Sequence, residues 1–455
     1  MESSLSRVFQ YIDEHSGEAI RDLVELCSQP SISARNEGLE DCAGKVKELL
    51  ESIGAKVEPL RLEGAPPLIY GEIRSSRSNK TLLFYNHYDV QPPEPIEEWR
   101  NPPFNPVIEN GKIFARGVSD NKGNIVARIK AIEAMLNTLG ELPINIKFVI
   151  EGEEEIGSPN LPRYIEKYGE KFKADGGIWE SGSKDAKERL TIYLGVKGIL
   201  YVELIATGPA RDVHSANATL IPNPAWKLIR ALTTLKDENE RILIPGFYDN
   251  IIPPSKEELE HVKSIEFDSE KMKKEFKLEK LLHGLEGYEA LKHHLYSPTC
   301  NICGIISGYT GPGSKTVLPS KAVAKIDFRL VPDQDPQDIF EKLKRHLESK
   351  GYSDIEVKLL GKLYPAKTPI NTPIVKATIN AAVKVYGQPP VVYPTMAGSG
   401  PMYLFIKNLG IPMASTGVGY YASRAHAPNE NIRIKDFIEG MKHVAAIIHE
   451  YATIK

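Results

Sequence analysis

Apolar residues recur at helical spacing along residues 5–29 and 39–53, and Gly54 stands where the second of these helices would stop. Thr81-Leu82-Leu83-Phe84-Tyr85 is a short unbroken apolar run, the pattern of a strand buried on both faces. Ile125, Ile129, Ile132 and Leu136 follow at intervals of four and three, which predicts an amphipathic helix over 124–137. Ile144–Ile150 and Gly176–Trp179 read as two further strands. Strands alternating with helices predict an α/β layered domain.

From Lys197 the pattern changes. Residues 199–207 read as a strand, and 224–235 as a helix with Pro224 at its start. Strands follow at 300–307 and 321–331, then an amphipathic helix at 336–350 and a strand at 354–360. That order, β-α-β-β-α-β, is the split arrangement of a ferredoxin-like module. A charged insertion at 237–297, expected to be helical and lid-like, separates its first helix from its second strand. After Pro365 the first pattern returns, with helices at 372–386 and 434–451 and an apolar strand at Ile411–Gly417. The expected organisation is a catalytic domain in two parts, 1–196 and 363–455, interrupted by a smaller domain at 197–362.

Composition narrows the function without naming it. The chain has 455 residues, 41% hydrophobic and 26% charged, with a formal net charge of -3. Charges of both signs are mixed along it, so nothing in the balance favours nucleic acid or an anionic membrane. No apolar run approaches the ~20 residues that span a bilayer. Met1-Glu2-Ser3-Ser4 lacks the basic flank and apolar stretch of a signal peptide, and a cytoplasmic location is expected. Four cysteines make no disulfide framework. Cys300 and Cys303 form a C-x-x-C inside an apolar run, which reads as two buried thiols in a strand rather than half a zinc site.

Five places put metal-ligand residue types at strand ends or in loops, where open α/β sheets build their sites. Asn86-His87-Tyr88-Asp89 follows the strand ending at Tyr85, and a carboxylate two residues from an imidazole can hold its ring. Asp120 lies in Gly117-Val118-Ser119-Asp120-Asn121-Lys122-Gly123; alone it reads as a helix-capping aspartate, yet a carboxylate can also bridge two cations. Glu151-Gly152-Glu153-Glu154-Glu155 crowds carboxylates at a strand end, either as a solvated acidic turn or as a cation site with a proton acceptor beside it. Glu180 comes directly after the strand Gly176–Trp179, and His426 sits in the loop before the last helix. Together His87, Asp120, Glu155, Glu180 and His426 supply imidazoles and carboxylates in a mixture that suits two zinc-like ions sharing one carboxylate and a water.

Taken together, H-Y-D-V-Q-P at 87–92, G-V-S-D-N-K-G at 117–123, E-G-E-E-E-I-G-S at 151–158 and A-H-A-P-N-E at 425–430 resemble one family. It is the co-catalytic metallopeptidase family of carnosine dipeptidase, aminoacylase, carboxypeptidase G, acetylornithine deacetylase and succinyl-diaminopimelate desuccinylase. The resemblance implies a three-layer zinc-exopeptidase catalytic domain with an inserted α+β ferredoxin-like lid and dimerisation domain. It also implies two divalent ions per subunit, zinc first, with manganese or cobalt as alternatives. His87 and Glu180 would be terminal ligands, as would Glu155 and His426, and Asp120 would bridge. Glu154 would be the general base and Asp89 would orient His87.

In the inserted domain His214 resembles a histidine that reaches the partner subunit's site in a homodimer and polarises the scissile carbonyl. Arg329 resembles the arginine that grips the substrate carboxylate. Strand alternation leaves it on the face opposite Ala322, Ala324, Ile326, Phe328 and Leu330, where a solvent-facing arginine is the other reading. Thr316 and Ser399 match further substrate contacts. The 237–297 insertion and K-T-V-L-P at 315–319 resemble the dipeptidase branch. Glu180 stands where that branch carries Asp, Ala216 where glycine is usual, and Met396-Ala397 where Arg-Glu is usual. The expected activity is cleavage of an amide bond in dipeptides or short peptides with a free carboxylate. The alternatives are an N-acyl-amino-acid deacylase and a catalytically silent binding homologue.

Overall fold

The computed structural model describes residues 2–454, so Met1 of the Met1–Ser4 stretch lies outside the described residues. The chain forms two compact units, one of residues 1–195, 368–394 and 404–455, the other of residues 196–367 and 395–403.

The first unit is built on a mixed six-stranded sheet. In chain order its strands are β1 (Lys56–Leu60), β2 (Leu68–Ile73), β3 (Thr81–His87), β4 (Asn145–Glu151) and β5 (Gly176–Trp179), with the late strand Met413–Ser415 at one edge. Their spatial order is β1-β2-β4-β3-β5 followed by Met413–Ser415. The β3, β4 and β5 strands and the late strand run parallel, while β1 and β2 pair antiparallel. β3 is buried from Leu82 to His87 because both faces of the sheet are covered. Ile69, Phe84, Phe148 and Ile178 face the large core shared with helices Glu2–Glu14, Lys122–Leu139 and Ile434–Thr453. On the other face Tyr85 stacks on Trp179 at 4.3 Å and meets Phe405 at 4.9 Å, and Tyr70 packs on Phe172 of helix Leu161–Phe172.

The second unit is a four-stranded antiparallel sheet of β6 (Gly198–Thr207), β7 (Thr299–Ser307), β8 (Lys321–Leu330) and β9 (Glu356–Leu363), in the order β7-β8-β6-β9. Helices Pro224–Thr233 and Pro336–Ser349 cover one face, giving the β-α-β-β-α-β order its core of Leu200, Val202, Leu204, Ala324, Ile326 and Phe328. Both helices begin with Pro at the first turn, behind Asn223 and Asp335 that cap them. The 237–297 insertion contributes the short helices Lys256–Lys263, Ser269–Phe276 and Gly287–Tyr296.

Three expectations change. The single helix expected over 5–29 is two, Glu2–Glu14 and Ser16–Ser28, broken at His15. Helix Lys122–Leu139 is not amphipathic: from Lys122 to Met135 only Lys130 and Glu133 escape burial, because other helices and β3 enclose it. Cys303 is exposed while Cys300 is buried: three residues apart on an edge strand they point to opposite faces, and Cys303 stands beside Asp327, away from the core.

Candidate metal centre

β3, β4 and β5 end side by side, and the site grows from their carboxyl ends. His87 is the last residue of β3, directly opposite Glu151 at the end of β4, and Glu180 follows the last residue of β5. His87 is fully buried. Its Nδ1 lies 3.1 Å from the Asp89 carbonyl and 3.3 Å from Asp89 Oδ1, and its Nε2 lies 3.1 Å from Asp120 Oδ1. Burial alone would disfavour a charged imidazole. The hydrogen bonds to Asp120 and Asp89 outweigh it and hold the ring well above its usual range.

Asp120 faces two imidazoles at once. Oδ1 meets His87, and Oδ2 lies 3.0 Å from Nε2 of His426, which is also 3.0 Å from Glu155 Oε2. Asp120 does not cap the following helix, whose N-cap position belongs to Asn121. Gly117 opens the Asp120 loop at φ +85°, a conformation side chains rarely adopt. His426 itself has φ +61°, as do Arg424 (+57°) and Asn429 (+61°), so the loop holds several non-glycine residues in an unfavoured backbone region. Asp120 is held below the usual carboxylate range because the two histidines outweigh its burial, and His426 is pushed up to about 10, chiefly by Asp120 and Glu155.

The acidic run divides into different tasks. Glu151 is buried and accepts hydrogen bonds from the Tyr85 hydroxyl (2.7 Å) and Ser158 Oγ (2.8 Å); burial pushes its carboxyl up to about 8. Glu153 turns away and accepts Asn160 Nδ2 on both oxygens at 2.9 Å. Glu154 and Glu155 turn toward the histidines, and their backbone N–H groups donate to the Asp89 carboxylate at 3.2 and 3.0 Å. Asp89 therefore holds both the His87 ring and the acidic turn. Gly152 is required between them, because a Cβ there would lie 2.4 Å from the Tyr88 ring. Glu154 Oε2 is 4.0 Å from His87 Nε2; burial pushes its carboxyl up to about 7, with His87 opposing and Asp120 and Glu155 reinforcing.

Several supporting residues escaped the sequence reading. Glu430, fully buried, takes Arg116 Nη1 at 2.8 Å and accepts backbone N–H groups from Gly117, Ser119 and Asp120 at 2.8–3.0 Å. It thereby fixes the Asp120 loop from the His426 loop. Arg128 donates to the carbonyls of Tyr85, Trp179, Glu180 and Thr416 and to Asn86 Oδ1, tying together the ends of β3, β5 and the Met413–Ser415 strand. Asn121 bonds Asn86 and donates to the Glu180 carbonyl at 2.9 Å. One signal was visible for Arg128: it stands beside Ile129 within the apolar stretch of its helix. For Glu430 there was none beyond its place in the A-H-A-P-N-E motif.

The other candidates lie in the second unit. His214 ends a short strand paired with Val317–Leu318; its Nδ1 accepts the Ala216 N–H at 3.0 Å, leaving Nε2 to carry the ring proton of the neutral form, and Thr316 Oγ1 is 3.5 Å from Nε2. Arg329 lies on the face opposite Phe328. Its Nη1 donates to Ser399 Oγ at 2.9 Å and its Nε lies 3.3 Å from Asp327 Oδ2.

The first-unit residues fit divalent ions. Donor atoms of His87, Asp120 and Glu155 all lie within 4.8 Å of one another, as do those of His87, Glu154 and Glu180. Glu180 Oε2, 3.8 Å from His87 Nε2, is buried with no hydrogen-bond partner, and its carboxyl is held well above its usual range, by burial first and then by Glu154. An orphaned oxygen among crowded carboxylates is what a cation would satisfy. The shortest contacts separate His87, Asp120 Oδ1 and Glu180 from His426, Asp120 Oδ2 and Glu155.

Comparison with known proteins follows the same lines. The sequence profile described as peptidase family M20/M25/M40 matches residues 83–450. The crystal structure of an M20 family metallo-carboxypeptidase, Sso-CP2, from Sulfolobus solfataricus is similar at 46% identity and a TM-score of 0.90, covering 96% of this chain and 100% of that one. The structure of the di-peptidase Dug1p from Saccharomyces cerevisiae is similar at 28% identity and a TM-score of 0.79, with both chains fully covered. The Beta-Ala-His dipeptidase of Homo sapiens is 30% identical over 99% of this chain and 93% of its own.

Replacing Glu430 by alanine leaves Arg116 buried without its carboxylate and frees backbone N–H groups around Asp120. Denaturant unfolding of Glu430→Ala should show a loss of about 3–5 kcal/mol, and a loss under 1 kcal/mol would mean that the loop is held by other contacts.

Proposed function

The chain belongs to peptidase family M20/M25/M40, and from that premise we propose that it removes a residue bearing a free carboxylate from dipeptides and short peptides. It is a metal-dependent peptidase that hydrolyses C–N bonds, with full-length likeness to named dipeptidases and to a metallo-carboxypeptidase. The observation that carries the chemistry is Asp120, held with one oxygen on His87 and the other on His426. The 46% identity to a metallo-carboxypeptidase supports acceptance of peptides longer than two residues. Glu180, in place of the aspartate usual in the dipeptidase branch, resembles deacylases and carboxypeptidases alike.

In this reading His87 and Glu180 would hold one divalent ion, His426 and Glu155 the other, and Asp120 would serve both. Zinc suits this imidazole-carboxylate set, and manganese or cobalt would be accommodated. When bound, the ions supply Lewis acidity and lower the pKa of the attacking water. Asp89 fixes the His87 ring and, through the N–H groups of Glu154 and Glu155, the turn that carries the base. Glu154 takes the proton of that water and returns it to the leaving amine, a task suited to a carboxyl already destabilised as an anion by burial. In the second unit Arg329 docks the substrate carboxylate with help from Ser399, which already accepts its Nη1. His214, with Nδ1 occupied by Ala216, offers Nε2–H to the scissile carbonyl beside Thr316.

His214 acts on the site of a second copy, which requires a homodimer. The β7 edge strand supports one: Ile302, Ile305 and Ile306 are exposed along it, with Trp226 and Ile229 exposed on helix Pro224–Thr233. The four cysteines are all unpaired, as a cytoplasm would keep them, and no helix among the described residues is long and apolar enough to cross a membrane.

Stripped with a chelator and restored with Zn²⁺ or Mn²⁺, the protein should regain hydrolysis of dipeptides in preference to the matching N-acetylated amino acids. A preference for the acylated compounds would move it to the deacylases, and silence on both would make it a binding protein. Glu154→Ala should keep its metal content and lose roughly three orders of magnitude or more in kcat; a variant within tenfold of the parent would remove Glu154 as the base. Ile305→Asp with Ile306→Asp should give monomers in light scattering together with inactive protein. Active monomers would contradict the role given to His214.

A further inference from the structure

Within the second unit the 237–297 insertion walls most of an open-mouthed cavity of about 330 Å³. Its walls are apolar: Phe267, Met272, Leu281, Leu282, Leu285 and Ala290 line it. Leu282 is 57% exposed, a large apolar side chain held at the mouth without cover. The polar residues in the lining are cationic, neutral or hydroxylic, and no carboxylate is among them. His293 and His294 are held below their usual pKa by burial, with nearby positive charge adding to it, and are neutral at pH 7.

Two cations mark its charged end. Lys197 is almost fully buried, and its ammonium donates to the carbonyls of His294 and Ser297, both at 2.7 Å. Those bonds use two of its three protons and pin the end of helix Gly287–Tyr296 to the start of β6. Arg329 uses Nη1 on Ser399 and Nε on Asp327, so neither contact occupies Nη2. Burial, with the charge of Arg329 adding to it, pushes the Lys197 ammonium down to about 8. An apolar chamber with two cations at one end, one of them partnered by Asp327 from outside the lining, and no carboxylate in its wall is complementary to an amphiphilic anion.

We propose that this pocket receives the terminal residue of the substrate, with the carboxylate between Arg329 and Lys197 and a large apolar side chain against the leucine-lined wall. The inference rests on the reading that Arg329 docks the substrate carboxylate, and adds to it a second cation and a side-chain preference. The volume accommodates leucine or phenylalanine, and glycine leaves the wall uncovered. Lys197 then has a second task as a positioning residue, because the same ammonium that faces the carboxylate holds the helix carrying His293 and His294.

The test compares Ala-Gly, Ala-Leu and Ala-Phe, each also as its C-terminal amide, with calorimetry of free glycine, leucine and phenylalanine binding to the full chain. Ala-Leu and Ala-Phe should exceed Ala-Gly in kcat/KM on the order of tens of fold, expressed mainly in KM. Free phenylalanine should bind more tightly than glycine by a similar factor, and the amides should not be cleaved. Leu285→Trp, which fills the chamber, should cost Ala-Leu and Ala-Phe at least tenfold more than Ala-Gly. If that variant does not fold, Leu282→Asp at the exposed mouth should show the same selectivity. An enzyme that requires the free carboxylate yet ignores the terminal side chain overturns the pocket while leaving the role of Arg329 intact. Equal cleavage of acids and amides overturns the Arg329 reading itself, and a variant that weakens all substrates equally overturns the placement of the side chain.

Discussion

The first unit is organised around a repulsion. Asp89, Asp120, Glu151, Glu154, Glu155 and Glu180 are gathered at the carboxyl ends of three parallel strands, with His87 and His426 the imidazoles among them. Burying unbalanced carboxylates is costly, and the burial of Glu151, Glu154 and Glu180 appears as carboxyls pushed upward. A divalent cation is the direct remedy. The same crowding that makes the centre unfavourable without ions gives it affinity for them.

Such a centre has to be held open against its own charge. Glu430 and Arg128 meet that need with hydrogen bonds to main-chain groups. Glu430 gathers N–H donors from the Asp120 loop, and Arg128 gathers carbonyls at the ends of β3 and β5 and after the late strand. Each is fully buried, so its bonds act in a low-dielectric interior where an unmatched donor or acceptor is expensive. Asp89 works at smaller scale, bonding the His87 ring on one side and the Glu154–Glu155 backbone on the other. The candidate ligands and the proposed base are thus positioned by residues that themselves lie outside the pair of imidazole-carboxylate groupings.

The second unit solves a different problem. Its sheet buries one face under two capped helices, and the 237–297 insertion walls the chamber at Arg329 and Lys197. The cationic end and apolar wall come from segments far apart in sequence. Lys197 immediately precedes β6, Arg329 lies near the end of β8, and the leucines belong to the insertion.

Chain order and local pattern determined a great deal by themselves. The buried run of β3, the alternation that sets Arg329 opposite Phe328, and the carboxylates after β4 and β5 are local facts, because a strand's period and its end are written in consecutive residues. The family motifs carried the same candidates. Tertiary structure decided what depends on enclosure from several directions. Helix Lys122–Leu139 has an apolar spacing that looks one-sided, yet packing from all around buries it. Cys303 is exposed because its strand lies at the sheet edge, a position that the apolar run does not reveal. Without the family motif the acidic run gave no sign of which carboxylate turns inward, because hydrogen bonds with Tyr85, Asp89, Ser158 and Asn160, formed only on folding, make that choice. Glu430 and Arg128 take their meaning chiefly from main-chain groups that folding brings to them, and no sequence pattern encodes a partner that is a backbone atom.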